Sequence, residues 1–375
     1  MKKLDAILEQ HQVIVCAGSG GVGKTTTAAA IALYGAQRGA RTVVLTIDPA
    51  RRLADALGLH GAGREMGGDE RAIPLQGTGS LTALMLDQKG AWDALVDRHA
   101  PSPEVRDRIL ANRFYQHLSQ SFAGSQEYMA IEQLCELHDS GRYDLIVVDT
   151  PPTQHALDFL EAPQRIADFL DKNVVKWFVK PYFSAGWATL RFFNRTVGVV
   201  FRKLEEATGV AALAEVSDFF ASMGGLFEGF EVRVRRVYRL LRARQTAFVL
   251  IASPEEQVLR EAEYFCGMVA ELRMSLRAVV FNRVHTEYTG RLRGVNRERI
   301  EALLTRAGGQ TAVAALADNF LRFEEEARGD MVRMESFRRQ LGKTVAVAQV
   351  PNFDADLHDM QGLAQMHRYL FAGAA

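Results

Sequence analysis

Cysteine is scarce: the 375 residues include three, Cys16, Cys135 and Cys266. They are far apart and odd in number, and no CxxC pair exists. That argues against a disulfide framework and a sequence-readable zinc site, and it fits a reducing compartment. Net charge is also missing, since 45 Lys and Arg face 45 Asp and Glu. A dedicated nucleic-acid binder carries a basic excess, so no nucleic-acid partner is expected. No uncharged apolar run is long enough for a spanning helix. The opening MKKLDAILEQHQ has charges but no continuous apolar core, so it does not read as a secretory signal. Repeats and low-complexity tracts are absent too. The expected setting is the cytoplasm. What remains is ordinary globular composition, 48% apolar and 24% charged. A chain this long suggests one large or two modest domains that fold without staples.

Apolar runs alternate with helical patterns. Residues 12–17 (QVIVCA) read as a buried strand, followed by a glycine-rich loop, a helix over 24–38 and a second strand over 42–47. Such a unit predicts a right-handed parallel crossover. Residues 61–80 read as loop, and 81–86 as a strand. Further strands are expected at 143–148, 246–252, 277–281 and 345–350. Residues 91–140 read as helical, broken by Pro101 and Pro103, and 154–245 again as helical. The expectation is an α/β fold of three layers, a mostly parallel doubly wound sheet carrying an inserted α-helical subdomain. Core segments are expected at 1–90, 141–165 and 246–375, with the helical subdomain drawn from 91–140 and 166–245.

Gly18, Ser19, Gly20, Gly21, Val22, Gly23, Lys24 and Thr25, with Thr26 next, match G-x-x-x-x-G-K-[ST]. Glycines let successive N–H groups curl around a phosphate, and the helix that starts here adds its positive end. Lys24 would reach the β and γ phosphates of ATP, and the Thr25 hydroxyl would sit on Mg²⁺. A glycine turn that binds nothing leaves the flanking strand and helix unexplained. Asp149 follows four apolar residues, where a strand-end carboxylate holds Mg²⁺ beside a phosphate loop. Asp48 ends the second strand in Asp48-Pro49-Ala50 and would face the nucleotide, orienting the attacking water or bearing on the metal. An N-cap Asp with Pro49 at the first helical position fits the same residues, and the sequence leaves both roles open.

Together these motifs resemble the ArsA/guided-entry ATPases, the P-loop family of the arsenite pump and of tail-anchored membrane protein delivery. The resemblance rests on GSGGVGKTT (18–26), on DPARRLADAL (48–57), similar to the family's switch I, and on DTPPTQHALDFLEAP (149–163), similar to its switch II. In switch II Asp149, Thr150, Pro152, Thr153, His155 and Leu157 match, whereas Pro151, Gln154, Ala156 and Asp158 depart. Asn282 in Val-Val-Phe-Asn-Arg-Val and Pro351 in Gln-Val-Pro resemble the family's adenine-reading Asn and the start of its adenine loop. The resemblance implies a P-loop NTPase that hydrolyses ATP, a helical subdomain, a nucleotide-bridged dimer and a catalytic Asp48 alongside Lys24.

The family's loop usually carries Lys where this chain has Ser19, and that Lys reaches the partner's phosphates. Serine supplies no charge to a transition state, a role that arginine fingers fill elsewhere. Slow hydrolysis, a heterodimer with a Lys-bearing paralogue, or substitution by Arg51 or Arg52 would each answer the change; the heterodimer is favoured over a plain homodimer. The CxxC of some tail-anchor ATPases is missing, and dispersed cysteines disfavour arsenite sensing.

The neutral total conceals an uneven distribution. Residues 172–244 hold 13 Lys and Arg against 6 Asp and Glu. Within them, 172–204 hold seven basic residues, no acid and eight of the chain's aromatics. An aromatic core with a solvated basic face explains this as well as a groove for a hydrophobic helix client or an anionic membrane surface does. A peripheral membrane location is thus also open. A MinD/ParA-like ATPase is a further reading, disfavoured by the Asp48 and Asp149 motifs and the long helical insertion.

Overall fold

Eight apolar runs pair into one sheet: β1 Val13–Gly18, β2 Arg41–Thr46, β3 Arg71–Ile73, β4 Ser80–Met85, β5 Leu145–Asp149, β6 Thr246–Ala252, β7 Leu276–Val284 and β8 Ala346–Pro351. This computed structural model describes residues 4–47, 52–58, 70–75, 77–121, 125–152, 161, 219, 224–289, 296–306, 312–355, 357 and 359–372. The sheet order is β3-β4-β2-β5-β1-β6-β7-β8. Every pairing is parallel except β3 against β4. The sequence reading made 61–80 a loop, so β3 is a correction. It has three residues and is defined by its ladder to β4, a non-local pairing with no local signature.

The described helices are α1 Asp5–Gln10, α2 Lys24–Gln37, α3 Arg52–Ala56, α4 Gln88–His99, α5 Pro103–Ala111, α6 Arg113–Ser121, α7 Ser125–Asp139, α8 Gly224–Leu241, α9 Glu256–Glu271, α10 Arg297–Arg306, α11 Val313–Gln340 and α12 Met360–Leu370. They cover both faces of the sheet. Ile14 and Cys16 of β1 pack into the cluster with α2 and α12. Val13, Val15 and Ala17 pack into the opposite cluster with α7, α8, α9 and α11. Period-two alternation along an all-buried strand thus feeds two cores, the signature of a doubly wound α/β fold. Among the described residues no helix is long and apolar enough to cross a membrane.

The helices between β4 and β5 start where the sequence supplies caps. Asp87 accepts the Gly90 N–H at 3.0 Å, and Ser102 caps α5 with Pro103 in its first turn. Helix α8 docks on α7 through Val237 and Leu241. Arg233 belongs to the basic segment that the sequence leaves open between a solvated face and a binding surface; it is instead buried, its Nε 3.7 Å from Glu132 Oε1. Glu132 also accepts from the Tyr128 hydroxyl, and Arg236 pairs with Asp139. Two of the helix's arginines are therefore spent on α7. Residues 172–204 lie outside the described residues.

Candidate active site

The turn from β1 into α2 sets the site. A Cβ at Gly18 would collide with the Ile251 carbonyl oxygen of β6. Gly23 has φ +86°, and a Cβ there would run into the Asn282 side-chain amide. Neither position admits a larger residue, which explains the outer glycines of the motif. The loop opens α2 at Lys24, so that helix's first N–H groups face the same space.

Lys24 is buried and donates from Nζ to the Ser19 carbonyl at 2.8 Å, folded back on its own loop. The Thr25 hydroxyl donates to Asp149 Oδ2 at 2.7 Å, and the Thr46 hydroxyl donates to the same oxygen at 2.9 Å. Sheet register causes this meeting: β5 lies between β1 and β2, with Asp149 opposite Cys16 on one side and Thr46 on the other. Two hydroxyls and a carboxylate are hard oxygen donors, the chemistry that suits Mg²⁺. Thr150 then turns back, its hydroxyl donating to the Cys16 carbonyl at 2.9 Å. Burial and the nearby Asp149 push the Cys16 thiol up, so it is an inert core thiol.

Asp48 lies outside the described residues, as do Thr153, His155 and Leu157 of the switch II resemblance. The residue before Asp48 is held beside the site: the Ile47 N–H donates to the Asp149 carbonyl at 3.2 Å, and Gln126 donates to the Ile47 carbonyl at 2.5 Å.

Asn282 meets the loop from the far side, its Nδ2 donating to the Val22 carbonyl at 2.8 Å. One amide hydrogen is used there; a second and the Oδ1 acceptor complete its inventory. Pro351 is not brought to the loop. It lines a separate cavity of about 500 Å³ with Val284, Gln349, Arg368 and Tyr369. The cavity over the loop measures about 460 Å³ and is lined by Gly21, Gly23, Lys24, Thr25 and Thr26, by Arg52, Asp55 and Ala56 of α3, and by Thr150, Pro152, Arg283 and Leu357. Three cations and one acid there favour a polyanion.

Ser19 is turned inward, its hydroxyl donating to Glu261 Oε2 of α9 at 2.6 Å. Thr46, Glu261, Arg283 and Leu357 were not singled out from sequence. Thr46 could have been found as the polar end of an apolar strand, but nothing local marks the other three.

The family described as anion-transporting ATPase, ArsA, matches residues 11–301. ATPase GET3 of Malassezia globosa is 29% identical over 284 residues, covering 75% of this chain and 76% of that protein. ATPase ASNA1 homolog 2 of Paramecium tetraurelia is 26% identical over 289 residues, 75% and 79% of the two chains. ATPase get3 of Aspergillus terreus is 31% identical over 172 residues, 45% of this chain and 48% of that one. A match that runs from the strand before the phosphate loop to beyond Asn282, on a doubly wound sheet with Lys24 and Asp149 at its centre, makes this chain a member of the ArsA family of ATPases, an ATP hydrolase.

Proposed function

We propose that this ATPase binds ATP with Mg²⁺ in the cavity over residues 18–26 and hydrolyses it in a nucleotide-switched dimer. The observation that carries the reading is the convergence of the Thr25 and Thr46 hydroxyls on Asp149 beside Lys24. The loop's N–H groups and the start of α2 cradle the phosphates, and Lys24 exchanges the Ser19 carbonyl for phosphate oxygens. Mg²⁺, when bound, neutralises charge on the phosphates. Thr25 and Asp149 would hold it, with Thr46 fixing the carboxylate. Asp48 orients the water for in-line attack, as the family resemblance implies. On the same ground Asn282 serves the adenine, whereas Pro351, lining the other cavity, is not given that role. Asp48→Asn should leave ATP binding intact and lower turnover at least about tenfold. Binding is read by calorimetry and turnover by phosphate release; unchanged turnover removes Asp48 from this role.

Closure of the dimer would move the helical subdomain and gate a hydrophobic client, such as the tail anchor of a membrane protein, or an anionic membrane contact. The seven basic residues and eight aromatics of 172–204 support that assignment. A second reading is favoured by one contact. Ser19, where the resemblance has Lys, is bonded to Glu261 and offers no cation to a partner. The chain would then be a weakly catalytic subunit of a heterodimer with a Lys-bearing paralogue. Turnover measured with and without such a paralogue separates the two: full turnover alone sinks the second reading.

A further inference from the structure

The backbone at Arg283 is in the left-handed region, φ +58°, where a side chain with a Cβ is unfavourable. It stands at an irregularity: the β7–β8 register breaks between Phe281 and Val284. Bulges of this kind re-aim side chains, and strained non-glycine residues concentrate at ligand sites. Here the break leaves Asn282 buried against the loop at Val22 and turns Arg283 outward to line the cavity over Lys24.

Sheet order places Arg283 within that cavity. Thr150 follows β5 on one side of β1, and Asp149 with its two hydroxyls lies on that same side. Arg283 is the second-last residue of β7, on the other side of β1. The phosphate and metal chemistry therefore lies toward β5, and the guanidinium lies toward β7. A guanidinium there suits a flat, electron-rich ring, because it stacks on aromatic faces.

We propose that Arg283 is a nucleotide-binding residue that stacks its guanidinium on the purine base and so contributes to selection of a nucleotide over a bare polyphosphate. This rests on the ATP site proposed above and extends it to the residue after Asn282. Calorimetry on the full chain, with Mg²⁺ and either ATP or inorganic tripolyphosphate, tests it. Arg283→Ala should bind ATP about tenfold more weakly and tripolyphosphate within about twofold of the parent. Arg283→Lys should show the same selective loss, since an ammonium keeps the charge without the plane. Arg283→Gly relieves the positive φ, so it should melt higher than Arg283→Ala while losing ATP affinity equally. An equal loss for both ligands places the guanidinium on the phosphates and overturns the proposal. Unchanged ATP binding by Arg283→Ala, with the parent binding ATP, also overturns it. A parent chain that binds neither ligand overturns the ATP site itself, and Lys24→Ala, losing both ligands, is the control for that site.

Discussion

His367 shows how a single buried ring ties the last helix to the helix that carries the phosphate loop. It is 4% exposed on α12, and its Nε2–H donates to the Ala30 carbonyl of α2 at 2.9 Å. Tyr34 and Phe371 stack with centroids 3.8 Å apart, and the imidazole meets Tyr34 edge-on at 5.1 Å. Burial lowers its pKa below the ordinary 6.5, with the Ala30 hydrogen bond acting the other way. Below about pH 6.5 the unfolded chain therefore takes up the proton more readily than the folded one. The stabilisation is complete above 6.5 and is lost as pH falls through the lowered folded value. His367→Gln should cost about 2 kcal/mol at pH 8 from lost ring packing. It should also show a smaller fall in melting temperature between pH 7 and 5 than the parent. His99 and His138, also lowered by burial, remain in both proteins, so the difference isolates His367.

At this scale the sequence marked Gly18 to Thr25 and Asp149, each by its own local pattern. It did not reveal Thr46, 103 residues from Asp149, because the meeting depends on β5 entering between β1 and β2. Glu261 and Arg283 were hidden for the same reason: a carboxylate on a helix face and a basic residue near the end of a strand are ordinary until the fold aims them.

Elements were easier to read than their partners. The phosphate-loop strand, its helix and the strand β6 stand where apolar runs and glycines put them, because fully buried parallel strands carry their signal locally. The charged helix α8 is ambiguous from sequence, since an arginine stripe fits a solvated face as well as a client groove or an anionic surface. Its contacts with α7 settle part of that stripe. Burial raises the Glu132 pKa, against the lowering influence of the Tyr128 hydroxyl and Arg233. Both members of the Glu132–Arg233 pair have side chains 10% exposed. Removing one partner strands the other charge, whereas replacing both with apolar groups removes the desolvation cost as well. Glu132→Ala should therefore destabilise the fold by about 3 kcal/mol in urea titrations. Glu132→Leu with Arg233→Met should recover most of that loss. If Glu132→Ala is neutral, the buried pair does not hold α8 on α7.

Across the whole molecule, the balance of 45 basic against 45 acidic residues is a sum over unlike parts. The basic excess of 172–244 is offset elsewhere, and some of it, at Arg233 and Arg236, is answered inside the fold by Glu132 and Asp139. The phosphate loop repeats this pattern at small scale. Glu261 of α9 stands where a cation at position 19 would be caught, 2.6 Å from the present serine hydroxyl. Supplying the missing charge therefore requires two changes. Ser19→Lys alone would pair with Glu261 in its own chain, leaving turnover near that of the parent. Ser19→Lys combined with Glu261→Gln frees the ammonium for a partner's phosphates. Removing one hydrogen-bond donor that stabilises a transition state costs about 10²–10³ in rate, so a free lysine should raise turnover at least about tenfold. In the proposed dimer the group acts from one chain on the other, so the gain should grow with protein concentration, as read by phosphate release over a dilution series. If the double variant matches the parent at every concentration, the want of a trans-acting cation is not what limits this ATPase.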